Sequence, residues 1–191
     1  MFTGLVTHRC EILEREGWRF LLRRPEGREM IVGQSIAHDG ACMTVESCDD
    51  EQYSFFVMEE SLSKTNYWKK QQGDMFNVEF PLQVRQPLDG HLVSWHIDAI
   101  WIVDELERAW DGSSKVQVRF AEKFDSLVVP KGSITLNGVS LTVVDVLPWW
   151  CSVRLIPQTQ EDTNLWALQI GDYINIEFDL LWKYVVKRWR E

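Results

Sequence analysis

Gly33-Gln34-Ser35-Ile36-Ala37-His38-Asp39-Gly40-Ala41-Cys42-Met43-Thr44-Val45 lies over Lys131-Gly132-Ser133-Ile134-Thr135-Leu136-Asn137-Gly138-Val139-Ser140-Leu141-Thr142-Val143 when the chain is shifted against itself by 98 residues. Both stretches carry a Ser-Ile step, an Asp-Gly or Asn-Gly pair, and a Thr-Val step. Asp-Gly and Asn-Gly between apolar runs mark a two-residue hairpin, because both central positions of such a turn take φ > 0. The turn therefore sets Cys42 and Ser140 at equivalent places, at the start of the strand that follows. Gly40 and Gly138 read as turn residues and nothing more.

The same shift holds outward without a gap. It lays Thr65-Asn66 over Thr163-Asn164, Trp68 over Trp166, Gly73-Asp74 over Gly171-Asp172, and Asn77-Val78-Glu79-Phe80 over Asn175-Ile176-Glu177-Phe178. Between positions 33 and 80, 15 of the 48 pairs are identical, which chance does not readily give without an insertion. The period is too long for a solenoid. It marks two copies of one small domain, joined near Pro87-Leu88-Asp89-Gly90. Short apolar runs such as Met43-Thr44-Val45-Glu46 and Tyr53-Ser54-Phe55-Phe56-Val57 alternate with Gly, Asp and Asn turns in each copy. Regular short strands of this kind predict a barrel or sandwich.

The tail differs. Leu181, Val185 and Trp189 fall on one helical face, with Trp182 and Val186 beside them. Asp179 stands where an N-cap would be, and basic residues gather at the far end, as the helix dipole favours. An amphipathic helix with no counterpart after the first copy is suited to packing on a neighbouring subunit. The expected units are 1–88, 89–178 and 179–191.

A net charge of -9 makes the chain a poor ligand for nucleic acid or an anionic membrane surface. No apolar run approaches the roughly 20 residues of a membrane-spanning helix, and Met1-Phe2-Thr3-Gly4-Leu5-Val6 does not read as a signal peptide. Cys10, Cys42, Cys48 and Cys151 lack Cys-x-x-Cys or zinc-like spacing. Free thiols in a reducing cytoplasm are the simplest reading. The ten tryptophans read mostly as packing, with some available for ring stacking.

Several separated motifs then agree in order and spacing. Met1-Phe2-Thr3-Gly4, the two Gly-x-Cys/Ser-x-Thr-Val turns, Thr65-Asn66, Thr163-Asn164 and Gly90-His91-Leu92-Val93-Ser94-Trp95-His96-Ile97-Asp98 together resemble the riboflavin synthase family, essentially end to end. The resemblance implies an all-β chain of two tandem six-stranded Greek-key barrels and a C-terminal helix. It implies a homotrimer, with a working site between the N-terminal barrel of one subunit and the C-terminal barrel of the next. It implies a transferase without metal or added cofactor, in which two 6,7-dimethyl-8-ribityllumazine molecules exchange four carbons and give riboflavin and a ribitylamino-pyrimidinedione. Non-catalytic lumazine proteins share the fold, so a lumazine or flavin carrier is the second reading.

By motif match, Phe2, Thr3 and Gly4 border the N-terminal pocket, with Cys42 and Thr44 at its turn; Thr65 and Thr163 join the binding set. Ser140 and Thr142 hold the equivalent places in the C-terminal pocket. His96 is the proton-transfer candidate, since a neutral imidazole works near pH 7. Asp179 orients or polarises a partner, with Lys131 and His91 nearby. Ser140 is expected near His96 or Asp179 of the assembled site, and Cys42 in the opposite pocket. Plainer roles stand beside these: hairpin satisfaction for Ser140 and Thr142, a small buried hydrophobe for Cys42, an N-cap for Asp179, a structural histidine for His96. The reaction needs a proton removed from an activated methyl group, a nucleophile added to the second ring, and two rings held face to face, so orientation supplies much of the rate. The family usually has glycine where this chain has Trp95. Trp95 is free to crowd the pocket, stack on the ligand or turn outward, and is expected to alter the site rather than the fold. Phe80-Pro81-Leu82-Gln83-Val84, Trp68 and Trp166 also depart from the family pattern.

Overall fold

The computed structural model describes residues 1–189. Arg190 and Glu191, the end of the expected tail segment, lie outside the described residues. Six strands, β1 (His8–Glu16), β2 (Arg19–Arg23), β3 (Ser35–His38), β4 (Ala41–Cys48), β5 (Gln52–Phe56) and β6 (Met75–Glu79), close a first barrel in the order β1-β2-β5-β4-β3-β6. Six more, β7 (Ala99–Arg108), β8 (Ser114–Arg119), β9 (Ser133–Leu136), β10 (Val139–Leu147), β11 (Trp150–Leu155) and β12 (Tyr173–Phe178), close a second with the same connectivity. Two six-residue helices, α1 (Glu59–Lys64) and α2 (Pro157–Asp162), precede the last strand of each barrel. Helix α3 (Leu180–Trp189) follows β12.

Local chemistry accounts for the closure. Asp39 and Gly40 have φ of 41° and 81°, and Asn137 and Gly138 have 45° and 77°, the left-handed pair that a tight hairpin requires. Along β4, Ala41, Met43 and Val45 point inward while Thr44 and Glu46 face out, the two-residue alternation of a half-buried strand. Register shifts fall at Val45/Ser47 in β4 and Val143/Val146 in β10. Bulges of this kind add the twist that bends a sheet into a barrel.

The two interiors differ in chemistry. The first is aromatic and partly polar: Tyr53, Phe55 and Phe76 pack on the His38 ring, with Phe20 and Tyr67 behind them. The second carries Leu136, Cys151, Val153, Leu165 and Ile174 at the matching places, with Trp101, Phe120 and Phe178 at one end.

Gly40 and Gly138 do more than turn. A Cβ on Gly40 would lie 2.8 Å from Gly138 N, and one on Gly138 would lie 2.7 Å from Gly40 N. The hairpins meet back to back, and only glycine fits both. Around them Asn77 Nδ2 donates to Asn137 O (2.9 Å) and Asn175 Nδ2 donates to Asp39 O (3.0 Å). Asn164 N donates to Asn77 Oδ1 (2.6 Å), and Asn66 N donates to Asn175 Oδ1 (2.7 Å). The retained asparagines of the repeat thus join the barrels. Among the described residues no helix is long and apolar enough to cross a membrane.

Candidate functional site

Two short segments cross between the barrels and carry the first part of the site. Phe2 and Val93 exchange both backbone hydrogen bonds at 3.2 Å, pairing the N-terminal segment with the linker. Beyond Phe2, Thr3 N and Thr3 Oγ1 donate to Glu79 Oε1 at 2.8 and 3.0 Å, and Gly4 N donates to Glu79 Oε2 at 3.1 Å. Beyond Val93, Ser94 N and Ser94 Oγ donate to Glu177 Oε1 at 2.8 and 2.6 Å, and Trp95 N donates to Glu177 Oε2 at 2.9 Å. Burial pushes the Glu79 carboxyl up to about 7, against the donated bonds, and raises Glu177 in the same way. The carbonyls of the clamped segments then reach the other barrel. Ser140 N donates to Gly4 O at 2.8 Å, and Cys42 N donates to Trp95 O at 3.1 Å.

On the first barrel, Cys42 opens onto a cavity of about 500 Å³ lined in part by Met43, Met58, Ser61, Lys64, Thr65 and His96. Thr44 lines an adjoining hollow of about 310 Å³ with Cys42, Phe56 and Met58. His96 is exposed at the mouth. Thr65 is buried, and its Oγ1 has no hydrogen-bond partner among the described residues. An unsatisfied buried hydroxyl facing a cavity offers a hydrogen bond to an occupant. Its counterpart Thr163 is self-satisfied: Oγ1 donates to Thr159 O at 2.6 Å and accepts from Leu165 N at 3.2 Å.

On the second barrel, Ser140 Oγ lies 2.7 Å from His91 Nδ1. His91 N also donates to Thr3 O at 3.0 Å. Burial holds the His91 imidazole below its ordinary value, with the Asp179 charge acting in the other direction. A neutral ring accepting from the Ser140 hydroxyl at Nδ1 keeps its proton on Nε2, which is buried without a partner among the described residues. Ser140 and His91 thus form a hydroxyl–imidazole pair able to pass a proton.

Within the chain Ser140 is partnered by His91, on which the Asp179 charge acts, whereas His96 lines the Cys42 cavity. Asp179 caps α3: its Oδ1 accepts from Leu181 N at 2.8 Å and Trp182 N at 3.4 Å. It stands close enough to His91 to act on its charge. Lys131 stands exposed at the turn before β9 with φ of 67°, its N–H on Val143 O. Thr142 is exposed on β10, opposite Ser133.

Trp95 also departs from its expected role. It is 1% exposed and packs with Phe2, Ala37 and Val93 between the barrels, with ring centroids of Phe2 and Trp95 5.6 Å apart. It borders the Cys42 cavity, but it is core first, because its ring packs against the Gly138 hairpin in the buried cluster between the barrels. Met58, Ser61 and Lys64 were not signalled by the sequence reading. Glu79 and Glu177 were visible as identities of the repeat, yet a buried carboxylate in each last strand was the overlooked sign of a clamp.

Residues 3–81 and 94–179 each match the family model described as the lumazine binding domain. The chain belongs to the riboflavin synthase family. The riboflavin synthase of Actinobacillus pleuropneumoniae is 34% identical over 191 residues, covering 97% of this chain and 88% of that protein. That of Mycobacterium tuberculosis is 35% identical, covering 100% of this chain and 98% of the relative. Both of these relatives are named as an enzyme. Among solved structures, LumP complexed with riboflavin superposes with a TM-score of 0.86 at 19% identity, over 93% of this chain and 99% of the other. LumP complexed with 6,7-dimethyl-8-(1'-D-ribityl) lumazine gives 0.83 at 18% identity. Both show the fold of this family.

Proposed function

We propose that the chain is a riboflavin synthase, converting two molecules of 6,7-dimethyl-8-ribityllumazine into riboflavin and 5-amino-6-ribitylamino-pyrimidinedione by four-carbon transfer. The observation that carries this reading is the pair of crossing segments, which give each barrel an equivalent strand start, Cys42 or Ser140, held in the same way. A reaction between two identical molecules uses two equivalent holders. It also uses them unequally, since one molecule gives carbons and the other receives them. The thiol of Cys42 and the hydroxyl–imidazole pair of Ser140 and His91 supply that inequality.

In this reading Thr44 and Thr65 hold one lumazine on the first barrel and Thr142 holds the other on the second, beside Thr163, whose own hydroxyl is taken up within the barrel, with Phe2, Thr3 and Gly4 framing the crossing. Ser140 is the nucleophile candidate and His91 its base. His96 moves the methyl proton, Asp179 tunes His91, and Lys131 draws in the ligand from the rim. The units of work are 1–88, 89–178 and 179–191, assembled as a cytoplasmic homotrimer through α3, with neither nucleic acid nor membrane as partner.

Purified protein incubated with the lumazine is expected to form riboflavin without added metal, followed by absorbance and chromatography. Stoichiometric binding with no conversion over hours would remove the enzyme reading. It would leave a lumazine or flavin carrier, the reading that Trp95 favours by filling space beside the Cys42 cavity.

A further inference from the structure

We propose that Glu79 and Glu177 are positioning residues wired across the two barrels: Glu79 on the first barrel holds the Ser140–His91 pair of the second, and Glu177 on the second holds Cys42 and the segment bearing His96 on the first. The inference rests on the proposed site for its functional meaning and on hydrogen bonds alone for its wiring.

Each glutamate is buried, Glu79 at 4% and Glu177 at 0% exposure. A buried carboxyl is costly unless its acceptors are filled. Here three donors fill each one, all from a crossing segment. Two successive backbone N–H groups on two oxygens of one rigid carboxylate fix both the position and the direction of the segment.

Glu79 then acts by two routes. Thr3, fixed on Oε1, offers its carbonyl to His91 N, and Gly4, fixed on Oε2, offers its carbonyl to Ser140 N. A Cβ at Gly4 would lie 2.5 Å from Ser140 Cβ, so the segment sits directly against the serine. Glu177 acts through Trp95, whose carbonyl accepts from Cys42 N and whose next residue is His96. Reacting groups need placement to within about half an ångström, and the clamp of one barrel sets that placement on the other.

The test uses the full chain and Glu79→Gln and Glu177→Gln. Glutamine keeps the shape but turns one acceptor oxygen into a donor that faces a backbone N–H. Residue-resolved amide hydrogen exchange reads the two reporter N–H groups directly. Glu79→Gln is expected to speed exchange at Ser140 by about fivefold or more and leave Cys42 unchanged; Glu177→Gln is expected to do the reverse. Turnover in both variants should fall about tenfold or more, with binding of the lumazine retained. Each variant freeing the amide of its own barrel, or both amides equally, would overturn the wiring. A crossed exchange pattern with unchanged turnover would overturn the positioning role. Should either variant fail to fold, Thr3→Val and Ser94→Ala each remove one donor from a clamp and predict the same crossed pattern. Wild-type protein that makes no riboflavin would defeat the enzyme reading alone; the wiring is then read from the exchange pattern and lumazine affinity.

Discussion

Trp95 holds φ of 60° while its ring fills the space between the barrels. A Cβ at Gly138 would lie only 3.2 Å from the end of that ring. Trp95→Gly relieves a left-handed backbone strain of about 1–2 kcal/mol but removes a buried aromatic worth about 3–5 kcal/mol. A net loss of about 1–4 kcal/mol in urea unfolding is expected; unchanged stability would show that the ring does not hold the barrels together. Ser140→Ala leaves a half-buried His91 Nδ1 without its 2.7 Å partner. It is expected to lower riboflavin formation about a hundredfold, the scale of a lost proton-transfer group, while Cys42→Ala lowers it less. Equal losses, or none from either, would mean that both residues only complete their turns. Trp95 also explains what the sequence concealed. Thr3-Gly4 and Ser94-Trp95 are counterparts at a shift of 91 residues, not 98. A tryptophan in place of a second glycine erased the only identity at those positions. The turns at Asp39-Gly40 and Asn137-Gly138 were legible because their chemistry is local. The clamps were not, because each joins residues more than 70 positions apart.

At the scale of elements, the strands followed from turn residues and alternation. Helices α1 and α2 did not, since six-residue segments with no buried residue carry no periodic stripe. The polarity of the first core was equally hidden, because His38 gives no sign in sequence of lying inside a barrel. Its Nε2 is 2.8 Å from the Tyr53 hydroxyl and its Nδ1 3.2 Å from Ile36 O, and Tyr67 donates its hydroxyl to His38 O. Complete burial pushes the imidazole down to about 3. Above pH 6.5 both folded and unfolded forms are neutral and the group adds no pH dependence. Below it the unfolded chain takes a proton that the folded chain refuses until about pH 3. Stability therefore falls with acidification, by about 1.4 kcal/mol per pH unit for this one group. Glu79, raised to about 7, acts in the opposite sense between its folded value and its ordinary one. The difference between wild type and a His38→Leu/Tyr53→Phe variant is thus the proper reading. Thermal unfolding from pH 7 to 4 should decline less in the variant; parallel curves would show that His38 does not set the acid limit.

At the scale of the whole molecule, the two halves of the proposed chemistry lie on different barrels. Cys42 and His96 line one cavity that Ser140 and His91 do not enter. In the proposed reaction, two lumazines held face to face between these groups take the second half of the site from another chain. Helix α3 offers the means of bringing it. Its inner side is tied to the second barrel by Trp182 Nε1 donating to Ser126 O at 2.7 Å and by Lys183 paired with Asp98 at 2.7 Å. Leu181 at 61% and Val185 at 40% exposure share with Trp182 a shallow hollow against the second barrel, and Tyr184 at 68% and Trp189 at 85% are more exposed still. Burying these side chains contributes about 1.5–3 kcal/mol for each one covered, which favours the proposed assembly through α3. Deleting the chain from Leu181 onward is expected to give monomers in sedimentation while leaving both barrels folded by circular dichroism. Leu181→Asp with Val185→Asp, which keeps the helix length, should do the same. Riboflavin formation should fall with the loss of the oligomer, and at limiting protein its rate should rise more steeply than in proportion to concentration, as a site shared between chains demands. A truncated chain that keeps its mass would place the interface elsewhere, and a monomer with full turnover would show that one chain holds the whole site.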